Sequence, residues 1–324
     1  MRIGADVGRV SAPITVGYAP DPQANHDTGW TSWLTAEARG EYDFTVSRPS
    51  PTCCVYRSTM TVNPVAAALR RGLFTRVVGK RLLYYQELSS TMDEAARRAD
   101  AGAEDGTVVV AESQTSGRGR FGRSWVSPKG NLYLSVVLRP TREVLPQLTI
   151  LSGVAVARAI RKTTRLEPRI KWPNDVLIDG KKVAGILVES VAAGDHVCYS
   201  VVGIGINVNL DTSAVSELAG RATSLDAAAG RPVARGDVLR QLLQDLDALY
   251  LRAGQGQSPR QRIMEEWRST LDTLGQRIRV DWLGESYQGL AEDVDETGNL
   301  LLRLDDGSRV SLAAGEVTLH DPAV

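Results

Sequence analysis

The sequence predicts an α+β fold: a mixed central sheet flanked by helices, followed by a small β-domain at the C-terminus. Three observations predict it. From about residue 80, apolar runs of strand length alternate with helical patterns. The segment 145–163 repeats apolar residues at spacings of three and four. Beyond residue 273 only short strands remain, with turn signals about every 8–12 residues.

The elements follow in order. Residues 1–60 are rich in Pro, Ser, Thr, Gly and Asp without helical or strand periodicity, and read as a mostly disordered extension. RLLYYQEL, from Arg81, reads as a strand. SSTMDEAARRADAG reads as a helix with Thr91 at the N-cap, Glu94 completing a capping box, and Gly102 as the stop. GTVVVAE (106–112) and NLYLSVVLRP (131–140) are short apolar runs bounded by turn residues, hence strands. A helix over about 145–163 buries the face that carries Leu148, Leu151, Ala155 and Ala159. IKWPNDVLIDGKKVAGILVES sets an Asp-Gly turn between two apolar runs, the signature of a hairpin. VCYSVVGIGINVN (197–209) is a further strand, and helices follow over about 234–253 and 259–273, the second with Trp267. QRIRVDWLG, ESYQGLAEDVD, GNLLLRLDDG and SRVSLAAGEV read as strands of a small β-barrel.

Composition narrows the functions. Lys plus Arg and Asp plus Glu both number 38 among 324 residues, so bulk charge does not suit a protein that coats nucleic acid or membranes. Any anion site is local. Three cysteines, Cys53, Cys54 and Cys198, fit neither a disulfide framework nor a four-ligand zinc site and point to a reducing compartment. No stretch approaches the roughly 20 apolar residues that span a bilayer. The start, MRIGADVGRV, has no basic segment followed by an apolar one. The expected location is cytoplasmic, with no membrane partner.

One loop concentrates the charge. Between Ser113 and Arg142 stand Arg118, Arg120, Arg123, Lys129, Arg139 and Arg142, with no acidic residue. Glycines at 117, 119, 122 and 130 let backbone N–H groups approach an anion, and arginines supply forked donors for carboxylate and phosphate oxygens. The competing readings are a solvated loop and an RNA-binding Arg-Gly segment. Neither standard nucleotide loop is present: there is no GxxxxGK[ST], and GIGIN (203–207) lacks the third glycine of a dinucleotide fingerprint. KWPND (171–175) sets a Lys, an amide and a carboxylate around a turn. Asn174 suits a ribose or phosphate, and Asp175 suits Mg2+. Lys181 and Lys182 follow the hairpin turn, and at least one of them is expected to face the same cleft. His26, His196 and His320 form no catalytic triad, so the site reads as electrostatic, with cations stabilising charge between two anionic substrates.

Three separated segments, QTSGRGRFGRSW, KWPND followed by KKVAGILVE, and VVGIGINVN, together resemble the biotin protein ligases over roughly residues 80–320. The resemblance implies a class II synthetase-like catalytic domain over 61–273, with helices on one side of its sheet, and an SH3-like domain over 274–324. It implies biotin and ATP as substrates, Mg2+ as cofactor, biotinyl-5′-AMP as intermediate, and a biotin carboxyl carrier protein as partner. Carried over residue by residue, Ser90, Thr91, Met92, Gln114, Arg118, Gly119, Arg120, Lys182 and Gly185 correspond to biotin-side positions. Lys182, Arg118 and Arg120 are the catalytic candidates. Arg123, Trp125, Asn174, Asp175 and Asn207 correspond to the nucleotide side, with Asp175 as the metal candidate. Met92 departs from the Asn that many members carry, and Phe121 from a basic residue seen in some. Some relatives also repress transcription through a helix-turn-helix; no such pattern occurs before residue 80, so a monofunctional ligase that binds no DNA is expected, and a homodimer is left open. The alternatives are a lipoate ligase, whose Gly-rich segment usually precedes a His that is missing here, and a nucleic-acid-binding module.

Overall fold

The computed structural model describes residues 41–45, 72–193, 196–212 and 217–319. Eight strands build one sheet. They are Glu41–Thr45 (β1), Arg81–Leu88 (β2), Val108–Gln114 (β3), Leu132–Leu138 (β4), Arg169–Lys171 (β5), Asp175–Ile178 (β6), Lys181–Ala193 (β7) and His196–Ile206 (β8). Their order is β1-β2-β3-β4-β8-β7-β6-β5. The parallel pair β2 and β3 needs a crossover, which helix α1 (Thr91–Asp100) supplies. The other neighbours are antiparallel, and β6–β7 is the hairpin read from Asp-Gly. Asp179 and Gly180 both take positive φ, 48° and 72°, as the favoured two-residue turn requires.

Alternation along these strands sorts the chain into two faces. On one face Ile170, Val176, Ala184, Ile206 and Leu132 stand opposite one another across β5, β6, β7, β8 and β4, and all are buried. They join the main core with helices α2 (Leu148–Thr164), α4 (Arg235–Ala253) and α5 (Gln257–Thr270); a short helix α3 (Leu225–Ala229) precedes these last two. On the other face α1 packs Met92, Ala95 and Ala99 onto Leu83, Tyr85, Val109, Val137 and Val201. The helices therefore do not all lie on one side, as the resemblance implied. Alpha1 covers only the β2, β3, β4 and β8 part of its face.

Local boundaries correct the sequence reading at four points. The N-cap of α1 is Ser90, not Thr91: Ser90 is extended and its Oγ accepts from the Met92 N–H at 3.2 Å. Glu94 makes no capping box, because its carboxylate is taken by Arg97, Arg98 and Tyr85. Gly102, at φ 84°, does follow the helix end as expected. Within the stretch read as extension, Glu41–Thr45 pairs antiparallel with β2; the rest of residues 1–60 lies outside the described residues. SRVSLAAGEV is two strands, not one.

These two are β12 (Arg309–Leu312) and β13 (Glu316–Leu319), which join β9 (Arg277–Trp282), β10 (Glu285–Val294) and β11 (Leu300–Leu304) in an antiparallel sheet ordered β12-β11-β10-β9-β13. Its apolar side carries Ile278, Val280, Ala291, Leu302 and Val317. Trp172 fastens this sheet to the larger one, its indole N–H donating to Gly298 O at 2.9 Å and its backbone N–H to Thr273 Oγ1 at 2.9 Å. No described helix is long and apolar enough to cross a membrane.

Candidate active site

Where α1 ends, the same face of the sheet becomes the floor of a cavity. Lys171, Asp175, Gly185, Gly205 and Tyr133 stand opposite one another across β5, β6, β7, β8 and β4. Two residues along, Leu187, Gly203 and Ser135 form a second row across β7, β8 and β4. The glycines leave this floor bare, and two side chains rest on it. A Cβ at Gly205 would lie 2.6 Å from the Trp125 ring, one at Gly185 2.9 Å from the same ring, and one at Gly203 2.5 Å from Met92 Sδ. The floor thus has an apolar end at Met92 and Leu187, a charged end at Asp175 and Lys171, and Trp125 between them.

The loop from β3 to β4 folds over this floor as a narrow hairpin. Trp125 N–H donates to Gly117 O and Gly119 N–H to Arg123 O, both at 2.8 Å, and the tip residues Phe121 and Gly122 take positive φ. Gly117 permits the crossing, since a Cβ there would lie 2.4 Å from Trp125 O. Gln114 couples the loop to α1. Its Oε1 accepts from the Thr91 N–H (2.8 Å) and Thr91 Oγ1 (3.1 Å), satisfying a donor that the first helical turn leaves without a partner. Its Nε2 donates to Ser127 Oγ at 2.9 Å, and Ser127 Oγ donates to Trp125 O at 2.8 Å. Ser135 Oγ completes the chain by donating to Thr91 Oγ1 at 2.9 Å.

The loop arginines reach three different elements. Arg118 bridges Asp93 (2.8 Å) and Glu189 (2.5 Å) at the rim. Arg120 points inward to Asn174 Oδ1 (3.0 Å) and Gly315 O (3.4 Å), and Arg123 pairs with Glu316 of the C-terminal sheet. Asn174 is itself held on β7: its Nδ2 donates to Ile186 O at 2.8 Å and its carbonyl accepts from Ile186 N–H at 3.0 Å. Lys182 Nζ lies 2.8 Å from Asp175 Oδ1, an ion pair whose angle makes no hydrogen bond, so that buried oxygen keeps its accepting capacity. The same ammonium is 5.1 Å from the centre of the Trp125 ring, within cation–π range. Burial lowers the pKa of Arg120 and of Lys171 from their ordinary values, with attraction to Asp175 opposing in part. The Trp125 indole N–H is buried and has no hydrogen-bond partner among the described residues.

The residues singled out from the sequence all line this cavity except two. Ser90 is buried as the helix cap. Asn207 ties the end of β8 to the segment before α3: its N–H donates to Val183 O at 2.8 Å, its Nδ2 to Thr223 O at 3.2 Å, and its carbonyl accepts from Leu225 N–H at 2.9 Å. Of the lysine pair, Lys182 faces the cavity and Lys181 is exposed. Lys171, Gly203, Gly205 and Tyr133 belong to the lining and were not assigned to the site. The alternation GIGI on β8 carried a signal for the glycines, because period two puts residues 203 and 205 on one face. Gly315, Glu316 and Val317 close the cavity from the C-terminal sheet, a contribution that no local pattern announces.

Comparison with known proteins adds an independent line. Residues 84–207 match the Biotin/lipoate A/B protein ligase family, and residues 273–319 match the Biotin protein ligase C terminal domain. The chain is 40% identical over 244 residues to the bifunctional ligase/repressor BirA of Bacillus subtilis, covering 74% of each. It is 34% identical over 241 residues to the biotin–[acetyl-CoA-carboxylase] ligase of Mycobacterium tuberculosis, covering 71% of this chain and 86% of that one. Among solved structures it resembles the biotin protein ligase of Aquifex aeolicus in complex with biotin and ATP. There the TM-score is 0.64 at 30% identity, over 74% of this chain and 98% of that chain. The Leishmania major biotin protein ligase in complex with biotinyl-5-AMP gives a TM-score of 0.50 at 28% identity, over 72% and 98%.

Proposed function

The chain belongs to the biotin protein ligases, and on that premise we propose how its cavity divides the work of the reaction. The protein joins biotin to a lysine of a biotin carboxyl carrier protein, using ATP and passing through biotinyl-5′-AMP. The reading that carries the assignment of residues is the graded floor: apolar at Met92 and Leu187, charged at Asp175, with Lys182 over the middle. Such a gradient suits a ligand with an apolar body and a carboxylate, laid against a triphosphate.

Thr91, Met92, Gln114, Gly119 and Gly185 then surround biotin, and Lys182 with Arg118 and Arg120 meets its carboxylate. A carboxylate oxygen attacks the α-phosphorus of ATP, and the bond to pyrophosphate breaks with its electron pair. Lys182 and the arginines hold two anions in contact and stabilise the charge that moves outward, without any proton transfer. In the second step the acceptor amine attacks the acyl carbon, AMP leaves, and the amine loses a proton. Asn174, Arg123 and Trp125 serve the nucleotide, the last through its ring and its unpartnered N–H. Asn207 supports that side through the segment before α3. Ser90 acts on biotin only through α1, whose start it caps.

Mg2+ fits as a companion of the nucleotide. Among the described residues no group of three or more His, Cys, Asp or Glu forms a metal cage. Asp175, with its accepting oxygen, is the carboxylate that would hold the ion together with phosphate oxygens, the usual sharing for this cation. The ion would neutralise phosphate charge there. The catalytic unit proposed is 61–273, and 274–324 the SH3-like unit that closes over it, in a cytoplasmic protein that acts without DNA; specific duplex binding by the full chain would overturn that last point.

The direct test is incubation with biotin, Mg-ATP and a carrier domain, read as the biotinyl mass increment on one lysine. An increment with lipoate and none with biotin would reverse the choice of substrate.

A further inference from the structure

Three arginines fasten the loop between β3 and β4, and their partners differ in one respect. Arg120 and Arg123 reach Asn174, Gly315 and Glu316, which all line the cavity, so a bound nucleotide meets the same groups. Arg118 lines the cavity as well, but Asp93 and Glu189 stand outside the lining. Of the three fastenings, this one is therefore left intact when the site fills. Its two bonds use Nη1 toward Asp93 and Nη2 toward Glu189, which leaves the Nε–H for the biotin carboxylate.

Sequence and register explain where the two acids stand. Asp93 follows Met92 in the first turn of α1, where the helix N-terminus favours a negative charge. Glu189 lies two residues beyond Leu187 on β7 and hence on the same face; its row continues through Val201 of β8 to Val137 of β4. Helix α1 covers Val201 and Val137 but does not extend over β7, so Glu189 is exposed. The gap between α1 and β7 is the mouth of the cavity's apolar end, with Met92 on one side and Leu187 on the other. Arg118 spans it.

We propose that Asp93 and Glu189 are positioning residues: by holding Arg118 across this mouth they set how long biotinyl-5′-AMP stays in the site before the acceptor amine arrives. This rests on the ligase reading above. Retention matters because the mixed anhydride, once in solvent, is open to water and to amines other than the acceptor. A bystander amine then forms the bond to the acyl carbon, AMP leaves with the electron pair of the broken bond, and the amine loses a proton. A water-exposed ion pair is weak, and weakness suits a closure that must open in every turnover. Two carboxylates share one guanidinium, so loss of either leaves the other in place, and loss of both frees the outer edge of the loop.

The test loads the full chain with radiolabelled biotin and Mg-ATP and follows dissociation of the biotinyl-5′-AMP formed, after dilution into excess unlabelled biotinyl-5′-AMP. Asp93→Asn and Glu189→Gln should each speed release about threefold and the double variant about tenfold, the scale of one and of two exposed ion pairs. Acylation of a bystander protein that is not an acceptor should rise in step, while pyrophosphate release in the first turnover stays near the wild-type rate. The charge-conserving Asp93→Glu should retain the intermediate, unlike Asp93→Asn. Glu189 is not on α1, so the effect of Glu189→Gln separates loss of the fastening from weakening of that helix. Salt supplies a readout that a purely structural role would not move: about 1 M NaCl should bring wild-type release to the rate of the double variant and leave the double variant nearly unchanged. Unchanged release in the double variant overturns the proposal, as does slowed pyrophosphate release with retention intact, or equal acceleration by salt in wild type and double variant. Wild-type protein that forms no biotinyl-5′-AMP from biotin and Mg-ATP overturns the ligase reading instead.

Discussion

Gly205 and Ile206 are neighbours in β8, yet they belong to two rows of the sheet that do opposite things. The Ile206 row runs Ile170, Val176, Ala184, Ile206, Leu132 and is filled and buried against helices. The Gly205 row runs Lys171, Asp175, Gly185, Gly205, Tyr133 along the same strands and, up to the buried Tyr133 at its end, is bare or charged. A pleated sheet offers this division without any change of fold, because one residue along the chain changes the face. The apolar row supplies the rigidity that lets the other leave glycine where a side chain would stabilise, and set two lysines beside one carboxylate. Substitutions in the two rows should therefore separate chemistry from stability.

The largest effect is expected on the chemical side. Lys182→Ala should lower adenylate formation by about 100- to 1000-fold, the range for removing one preorganised cation or donor, with little loss of thermal stability. Asp175 would lose its ion-pair partner, but the site is open to water. Normal pyrophosphate release by this variant would remove Lys182 from the acyl-phosphate contact. Ile206→Ala is the converse. It should cost about 2–5 kcal/mol in denaturant unfolding through lost burial and the cavity left behind, yet retain ligase turnover at temperatures where it stays folded. A large fall in turnover per folded molecule would show that the rows are not separable.

Gly205→Ala is the sharper and smaller test, because it changes the floor without touching a charge. Its new Cβ would stand 2.6 Å from the Trp125 ring, so the indole must lift from the sheet. The side chain sits on a loop and can move, which limits the stability cost. The KM for ATP should rise about tenfold to 100-fold through misplacement of the nucleotide side, and Trp125 fluorescence should shift toward that of a wetter indole. Unaltered KM and fluorescence would mean that the ring is not seated on the glycine.

This division was only partly legible in the sequence. The β6–β7 hairpin was readable because Asp-Gly is one of the few pairs favoured where both turn residues need positive φ. The extent of α1 was readable within a residue; its cap was misplaced because two serines and a threonine in succession can each serve. Most of the site was carried by contiguous motifs, and those residues do converge. Long-range register was not legible: that Gly185 faces Gly205, or that Lys171 faces Asp175, depends on which strands pair across the sheet. Ser90 and Asn207 were assigned to the site by the resemblance alone; their side chains here cap a helix start and bond a segment preceding α3.

Glu94 offers the smallest and most delicate comparison, on the part of the cavity face that α1 covers. Burial would raise its pKa, but hydrogen bonds from Arg97, Arg98 and Tyr85 outweigh this and hold it below the ordinary glutamate value of 4.5. A depressed carboxylate contributes stability above its unfolded pKa and loses it as pH falls through the folded one. Arg97 is largely in solvent, so screening holds the contribution to about 1 kcal/mol or less. Glu94→Gln should therefore be slightly less stable than wild type at pH 7, and the gap should close as the pH is lowered beneath 4.5. Adenylate formation at pH 7 should be unchanged, since α1 still carries Thr91 and Met92 to the cavity. A gap of constant size from pH 7 to pH 3 would mean that packing, not charge, fixes this helix, and the covered half of the face would then resemble the Ile206 row rather than its own.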